Sequence, residues 1–274
     1  MLYVIATPIG NLEDLSRRAE RTLREADRVA AEDTRRARGL LSHLGITGKP
    51  IDRLDAHASD RDVARLVEML SEGQSIALVT DAGTPAVSDP GMQLVAKARA
   101  AGITIVPIPG PSAVVTAIAA SGLVSGAFRF LGFLPRSGSE RAEALATVAS
   151  TPEAVIVFES PQRLNDTLSD LASRMPSRQA MVGRELTKLH EEFIVGSLAE
   201  LAAEPREWQG EITLVLGSSV VEKEQAASGQ IDLWIDEALA AGRSSREAAD
   251  ITAARSGRPR REIYARVIAR KGRE

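Results

Sequence analysis

An α/β fold is predicted by three features of the sequence. Apolar runs have the length of buried parallel strands, each stops at a loop rich in Gly, Pro, Ser and Asp, and an amphipathic helical segment follows. The stretch from Ile76 to Gly91 shows all three and organises the rest. Ile76 to Val79 is an uninterrupted apolar run that ends at Thr80-Asp81. Ala82-Gly83-Thr84-Pro85 and Ser88-Asp89-Pro90-Gly91 form the loop, and Met92 to Ala101 forms the next helix with Asp89-Pro90 at its cap. Such a loop at the carboxyl end of a buried strand is where open α/β sheets bind ligands. Asp81 supplies acceptors for hydroxyls or an ammonium group, and Gly83 permits close backbone approach. A tight β-to-α connection with an Asp cap explains the same residues without a ligand.

The preceding elements repeat the pattern. Leu2 to Ala6 is a strand that ends in Thr7-Pro8-Ile9-Gly10-Asn11, and the next helix puts Leu15, Ala19, Thr22, Leu23 and Ala26 on one face. The glycines here are too few for a G-x-G-x-x-G fingerprint, which argues against a dinucleotide site. A short strand over Ala26–Ala31 runs into Glu32-Asp33-Thr34-Arg35-Arg36. That cluster is either a helix cap or a polar rim that meets a phosphate-bearing substrate. A helix over 35–44, a strand over 51–54, the Asp55-Ala56-His57 loop and a helix over 61–71 lead to the central strand. Beyond it, a strand over 103–106 delivers Pro107 to Ala113, and Ser112 stands at the mouth of an apolar helix, 113–120. A helix N-terminus there favours a negatively charged ligand group. Three strands of this half therefore end in special loops on one sheet edge.

A break at Gly122–Gly126 precedes a second unit. Phe128 to Leu134 opens it, a helix spans 139–149, and Ala154 to Phe158 is a buried strand ending at Glu159. A helix over 162–173, strands over 179–183, 191–195 and 211–216, and the Arg184-Glu185-Leu186-Thr187-Lys188 turn complete a second, mixed sheet. Residues 218–229 read as a linker. Three short helices, 231–240, 245–254 and 260–269, have helix-turn-helix-like spacing. The expected organisation is an N-terminal α/β domain over 1–122, a C-terminal α/β domain over 123–217, the linker and a basic helical module over 230–274.

Composition narrows the function classes. The 274 residues are 44% hydrophobic and 26% charged and contain no cysteine, which excludes thiolate metal sites and a Cys nucleophile. The three histidines have no metal-ligand spacing. The chain begins directly with a strand, and no apolar run approaches the roughly 20 residues of a membrane span, so a cytoplasmic protein is expected. The net charge of −3 conceals an asymmetry. Arg243 to Glu274 holds ten Arg and Lys against four Asp and Glu, a net +6 that leaves −9 on the remainder. A basic appendage on an acidic body points to an anionic partner.

Eight motifs now occur in one order: Ile5 to Asp14, Ala31 to Arg35, Thr80 to Pro85, Ser88 to Gly91, Pro109 to Ala113, Gly132 to Pro135, Phe158 to Leu164 and Gly183 to Lys188. Together they resemble the bacterial small-subunit ribosomal RNA cytidine 2′-O-methyltransferases, a branch of the tetrapyrrole methylase superfamily. The resemblance spans about residues 2 to 217 and is weaker through the tail. Gln162 departs from it, standing where a His is common. The resemblance implies a two-domain α/β fold with S-adenosyl-L-methionine in the cleft between the domains. Asp81, Ala82, Gly83, Thr84, Ser112 and Ala113 would contact its methionine and ribose parts. Pro8 and Ile9 would wall the site, and Phe158, Leu186 and Thr213 would close it. The reaction implied is 2′-O-ribose methylation of a cytidine in the decoding region of 16S ribosomal RNA, on naked RNA or an assembled small subunit. A homodimer is expected, partly from the resemblance and partly because the apolar 113–120 helix and the Phe128–Leu134 run exceed what one small domain readily buries.

The reactive methyl group belongs to the cofactor, so the protein has mainly to align a ribose oxygen and help remove its proton. Asp33, Glu185 and Lys188 are the candidates for that step, although Glu185 and Lys188 also fit a surface ion pair. Arg35, Arg36, Arg163 and Arg184 are candidates to hold phosphates, as are Arg258, Arg260 and Arg261 in the tail. Rival readings are a tetrapyrrole or protein methyltransferase on the same fold, and a nucleotide-sensing regulator that binds through the tail.

Overall fold

The computed structural model describes residues 1–55, 58–86, 91–218 and 228–271. The expected Asp89-Pro90 cap, the Ala56-His57 turn and residues 219–227 of the expected linker lie outside them. The chain divides into two compact units, Met1–Ser218 and Ser219–Glu274.

The first unit holds two five-stranded sheets. In chain order the first comprises β1 (Leu2–Ile5), α1 (Arg17–Glu25), β2 (Arg28–Ala31), α2 (Thr34–His43), β3 (Ile51–Arg53), α3 (Asp60–Ser71), β4 (Ile76–Val79), α4 (Met92–Ala100), β5 (Ile105–Ile108) and α5 (Ala113–Ser121). Its strands are all parallel, in the order β3-β2-β4-β1-β5. Every residue of β4 is buried because both faces of the sheet are covered. Ala77 and Val79 pack with Leu23, Val29 and Leu41 on one side, while Ile76 and Leu78 pack with Leu66, Leu70 and Leu94 on the other. β5 lies two residues beyond the predicted 103–106 and includes Pro107. A proline is tolerated there because β5 is the sheet's edge and one side of it needs no ladder bonds.

The second sheet is mixed, as expected. It comprises β6 (Phe128–Phe133), α6 (Gly138–Ser150), β7 (Ala154–Glu159), α7 (Pro161–Ala172), β8 (Gln179–Arg184), β9 (Glu192–Ser197), α8 (Leu198–Ala203) and β10 (Ile212–Leu216). Its order is β6-β7-β10-β8-β9, with β6 and β7 parallel and the other pairs antiparallel. α8 is not among the expected elements; at six residues it is too short to show a helical period, and its one local mark is the Ser197–Glu200 capping box that starts it. One face of this sheet packs on Leu145, Leu164 and Leu168. The other brings Ile156, Met181 and Val215 against Ile9, Val114 and Ala117, which seats α5 beside β10.

The second unit contains α9 (Ser228–Ala240), α10 (Ser245–Ser256) and α11 (Arg260–Lys271). Ile231, Ile235, Ala248, Ala249, Ile263 and Val267 form its core. A Ser244–Glu247 capping box starts α10, and Gly257 in the left-handed region ends it.

Candidate active site

Parallel strands put their carboxyl ends on one edge, and hydrogen bonds there tie three loops together. Thr7 and Gly83 form an antiparallel bridge, with N···O distances of 2.8 and 3.0 Å, and the Thr7 hydroxyl donates to Thr80 O at 3.1 Å. The Thr84 hydroxyl donates to Pro111 O at 3.2 Å. The loops after β1, β4 and β5 are thereby fixed to one another. They border a cleft of about 490 Å³ whose opposite wall comes from the second sheet.

Of the residues expected around a cofactor, Ile9, Asp81, Ala82, Gly83, Thr84, Ser112, Ala113, Phe158 and Thr213 line this cleft, whereas Pro8 and Leu186 do not. Leu186 packs in the buried cluster that also contains Ile9 and Val114. Ser112 makes no side-chain capping bond at the start of α5, which leaves the helix N-terminus beside the cleft for a ligand. Gly83 has φ +81°, and a Cβ added to it would stand 3.5 Å from Ile9 Cγ2 and 3.9 Å from Pro111 O. The backbone therefore presents a concave surface that a larger side chain would fill.

The three proton-transfer candidates stand one layer behind the cleft. Asp33 caps α2 by accepting from Arg35 N–H at 2.7 Å, and this bond holds its carboxylate below the usual range. Its own N–H donates to Asp81 Oδ1 at 3.1 Å. Lys188 Nζ donates to Glu185 Oε1 at 2.8 Å and to Glu211 Oε2 at 3.0 Å, and Glu211 N–H donates to Glu185 Oε1 at 2.8 Å. Lys188 lowers the Glu185 pKa, aided by the Glu211 N–H. Burial opposes the ammonium form of Lys188, but its two carboxylate partners outweigh that and raise its pKa. An ionised carboxylate held low and an ammonium held high are both poorly matched to accepting a proton near neutral pH. Their geometry instead positions Asp81 and Glu211, both of which line the cleft.

The turn that carries Glu185 and Lys188 is unusual. Glu185 and Thr187 have φ of 52° and 66°, a rare conformation for non-glycine residues. The turn is held by Glu185 N–H to Glu211 O at 2.9 Å and Thr187 N–H to Glu191 Oε1 at 2.7 Å, while the Thr187 hydroxyl accepts from Asn11 N–H at 3.1 Å. Gly10 sits directly against it, and any Cβ there would collide with Leu186 O and the Lys188 side chain.

The arginines divide. Arg36 lines the cleft with its Nε 3.5 Å from Asp81 Oδ2. Arg35 is exposed and pairs with Asp33 at 3.4 Å. Arg184 pairs with Glu192 at 3.0 Å. Arg163 is engaged internally: it contacts Glu159 Oε1 at 2.6 Å, Leu134 O at 3.0 Å and Ser160 Oγ at 3.1 Å. In the tail, Arg258 pairs with Glu262 at 2.8 Å and Arg260 with Asp250. Arg255, Arg266 and Arg270 are also paired with acidic residues of α9. Arg261, Arg243 and Arg246 are exposed and enter no ion pair among the described residues. Much of the tail's charge excess is therefore spent locally, and the cations open to a partner differ in part from the expected set.

Glu32, expected in a cap or polar rim, also lines the cleft, as do Phe133, Glu159, Ser160 and Glu211, for which the sequence pattern predicts no role. Glu32 and Glu159 lay within motifs already singled out. Glu211 had no local signal, because only the pairing of β10 with β7 and β8 brings it to the cleft. Among the described residues, no group of three or more metal-ligating side chains could hold an ion, and no helix is long and apolar enough to cross a membrane.

The sequence profile of the tetrapyrrole (corrin/porphyrin) methylases matches residues 1–202. The ribosomal RNA small subunit methyltransferase I of Halalkalibacterium halodurans is 44% identical over 269 residues, covering 96% of this chain and 93% of that protein. The protein of the same name from Bacillus subtilis is 38% identical over 275 residues, covering 96% and 92%. Among solved structures, the uroporphyrin-III C-methyltransferase of Thermus thermophilus in complex with S-adenosylhomocysteine aligns with a TM-score of 0.57 at 18% identity, over 79% of this chain and 96% of that one. A diphthine synthase aligns with a TM-score of 0.60, also at 18% identity, over 79% and 89%. At such identity the structural likeness speaks for the fold alone.

Proposed function

The chain belongs to the tetrapyrrole (corrin/porphyrin) methylase family and, within it, to the ribosomal RNA small subunit methyltransferases I, and from that premise we propose that it methylates the ribose 2′-hydroxyl of a cytidine in 16S ribosomal RNA. It is an S-adenosylmethionine-dependent methyltransferase. The observation that carries this reading is the cleft itself, where a concave Gly83 backbone, an uncapped helix N-terminus and a carboxylate converge.

That donor set fits S-adenosylmethionine. The α5 N-terminus at Ser112-Ala113 suits its carboxylate, Asp81 suits its ammonium or ribose hydroxyls, and Ile9, Val114 and Phe158 suit its apolar surface. When bound, the cofactor supplies an electrophilic methyl group on a sulfonium. The chain's own residues then orient the ribose and take its proton. Of the carboxylates that line the cleft, this reading assigns that hydrogen bonding to Asp81 and Glu211, with Asp33 positioning the first and the Glu185–Lys188 pair the second. Arg36 at the rim is placed for an RNA phosphate. The working form in this reading is a homodimer, with twice the chain mass in light scattering.

The decisive experiment is transfer of labelled methyl from S-adenosylmethionine to purified small subunits, followed by mapping of the blocked 2′-hydroxyl. Label on the base or on protein would overturn the reading. Asp81→Ala should weaken cofactor binding by about 1–3 kcal/mol, the loss of a hydrogen bond to a charged group. Calorimetry on the folded variant checks this, and wild-type affinity would remove Asp81 from the site.

The basic tail is read as an RNA-docking module; it begins with α9 at Ser228, inside the expected 218–229 linker. Its surface ion pairs are individually weak, so Arg258 and Arg260 remain able to exchange a carboxylate for a phosphate. The exposed cations that enter no ion pair among the described residues, Arg243, Arg246 and Arg261, should dominate. Replacing all three with Gln should leave cofactor affinity intact, lower subunit affinity and flatten its salt dependence by about 2 log–log units, near 0.7 per phosphate contact. An unchanged affinity and salt slope would reduce the tail to a solvated cap.

A further inference from the structure

We propose that Phe133 is the ring on which the target base stacks when its nucleotide enters the cleft. This rests on the reading of the cleft as a site of RNA ribose methylation. The register of β6 against β7 is regular from Phe128↔Ala154 to Phe130↔Ile156 and then jumps to Phe133↔Phe158. Three steps on β6 oppose two on β7, which is a β-bulge. Gly132 within it has φ +65°, the left-handed conformation that such an extra residue requires.

The bulge re-aims one side chain. In a regular strand, residues three apart point to opposite faces. Here Phe130 and Phe133 both meet the Phe158 ring, with centroids 4.8 and 5.6 Å apart respectively. Phe130 and Phe158 are partly buried and finish the apolar wall, but Phe133 lines the cleft while 61% exposed. The sheet thus interrupts its ladder to hold a largely uncovered aromatic face at the cleft mouth. To bring a ribose 2′-oxygen up to a methyl donor held in the cleft, a nucleotide has to enter it and part from its stacked neighbours. Bases extracted in this way are held by stacking on aromatic side chains. Phe133 has the exposure, the anchored orientation and the position for that contact.

The test uses the full-length chain with Phe133→Ala, Phe133→Leu and Phe133→Trp, and small subunits from cells lacking this methyltransferase. Three quantities are measured: cofactor affinity, kcat/KM for methyl transfer, and solution mass. Ala and Leu should each lower kcat/KM on the order of tenfold or more, since Leu keeps the apolar bulk but not the π-face. Trp should stay within about threefold of wild type, and cofactor affinity and mass should not change. Gly132→Val, which disfavours the bulge, should reproduce the Ala defect. A Leu variant at the wild-type rate would show that bulk suffices and overturn the proposal. Loss of cofactor affinity in the Ala and Leu variants would assign the ring to the cofactor wall, and a halved mass would make it a subunit contact. Either outcome also overturns it. If the wild-type chain fails to methylate the subunits, the functional reading itself falls, and the stacking role with it.

Discussion

Replacing Glu159 with Ala should destabilise the first unit by about 3–5 kcal/mol, the cost of breaking a buried ion pair from one side. The Glu159 side chain is fully inaccessible. Oε1 accepts from Ser160 N–H at 2.7 Å and contacts Arg163 at 2.6 Å, while Oε2 accepts from the Thr167 hydroxyl at 2.8 Å. Arg141 adds a contact at 4.0 Å and binds Thr167 and Asp170, each at 3.0 Å. Arg141 also donates to Pro135 O at 3.3 Å, as Arg163 does to Leu134 O. One carboxylate therefore joins the ends of β6 and β7 to α7. Its removal leaves two mostly buried guanidinium groups undercompensated and the Ser160 N–H and Thr167 hydroxyl without that acceptor. Glu159→Gln keeps the shape but loses the charge, so a smaller loss is expected. Urea unfolding of both variants measures the effect, and a loss below about 1 kcal/mol for Ala would show that Arg163 and Arg141 are satisfied without Glu159. Because Phe158, Glu159, Ser160 and Pro161 all line the cleft, the variant should also bind substrate less well.

The same glutamate marks the limit of what the sequence discloses. Apolar runs and turn residues located the strands because burial on both faces of a parallel sheet leaves a local signature, as in Ile76–Val79. The loops after β1, β4 and β5 were legible because Gly, Pro and Asp act on their own backbone. Family motifs then pointed to residues such as Asp81, Gly83 and Phe158, which line the cleft and which the local pattern alone left open between cap and site. Partnerships across the fold were not legible. Arg163 reads equally well as a phosphate ligand until Glu159, four residues back, is seen to take it inward. Arg258 and Arg260 look free in a basic tail until helix packing brings Glu262 and Asp250 to them. Glu211 reaches the cleft only through antiparallel pairing, and Phe133 only through a one-residue slip in register. β5 shifted because its proline is permitted by an edge position that only the assembled sheet defines.

Gly83→Val should reduce S-adenosylmethionine affinity by at least about 100-fold, close to 2.7 kcal/mol, and Gly83→Ala by clearly less. Gly83 has φ +81°, and both its N–H and its carbonyl are committed to Thr7, so the backbone cannot rotate away without breaking the bridge between the β1 and β4 loops. A β-branched residue at positive φ is a genuine outlier and carries a strain on the order of 1–3 kcal/mol. Space decides the rest. The first carbon of a side chain would lie 3.5 Å from Ile9 Cγ2 and 3.9 Å from Pro111 O, an ordinary contact. Alanine therefore adds strain with little crowding. Valine extends two further methyl groups from that carbon beside Asp81 and Ala113, where the proposed cofactor site has its backbone wall. Val should therefore lose more stability than Ala in thermal unfolding, and only Val should lose most of the calorimetric binding. A folded Gly83→Val protein that binds S-adenosylmethionine like the wild type would place the cofactor elsewhere on the chain.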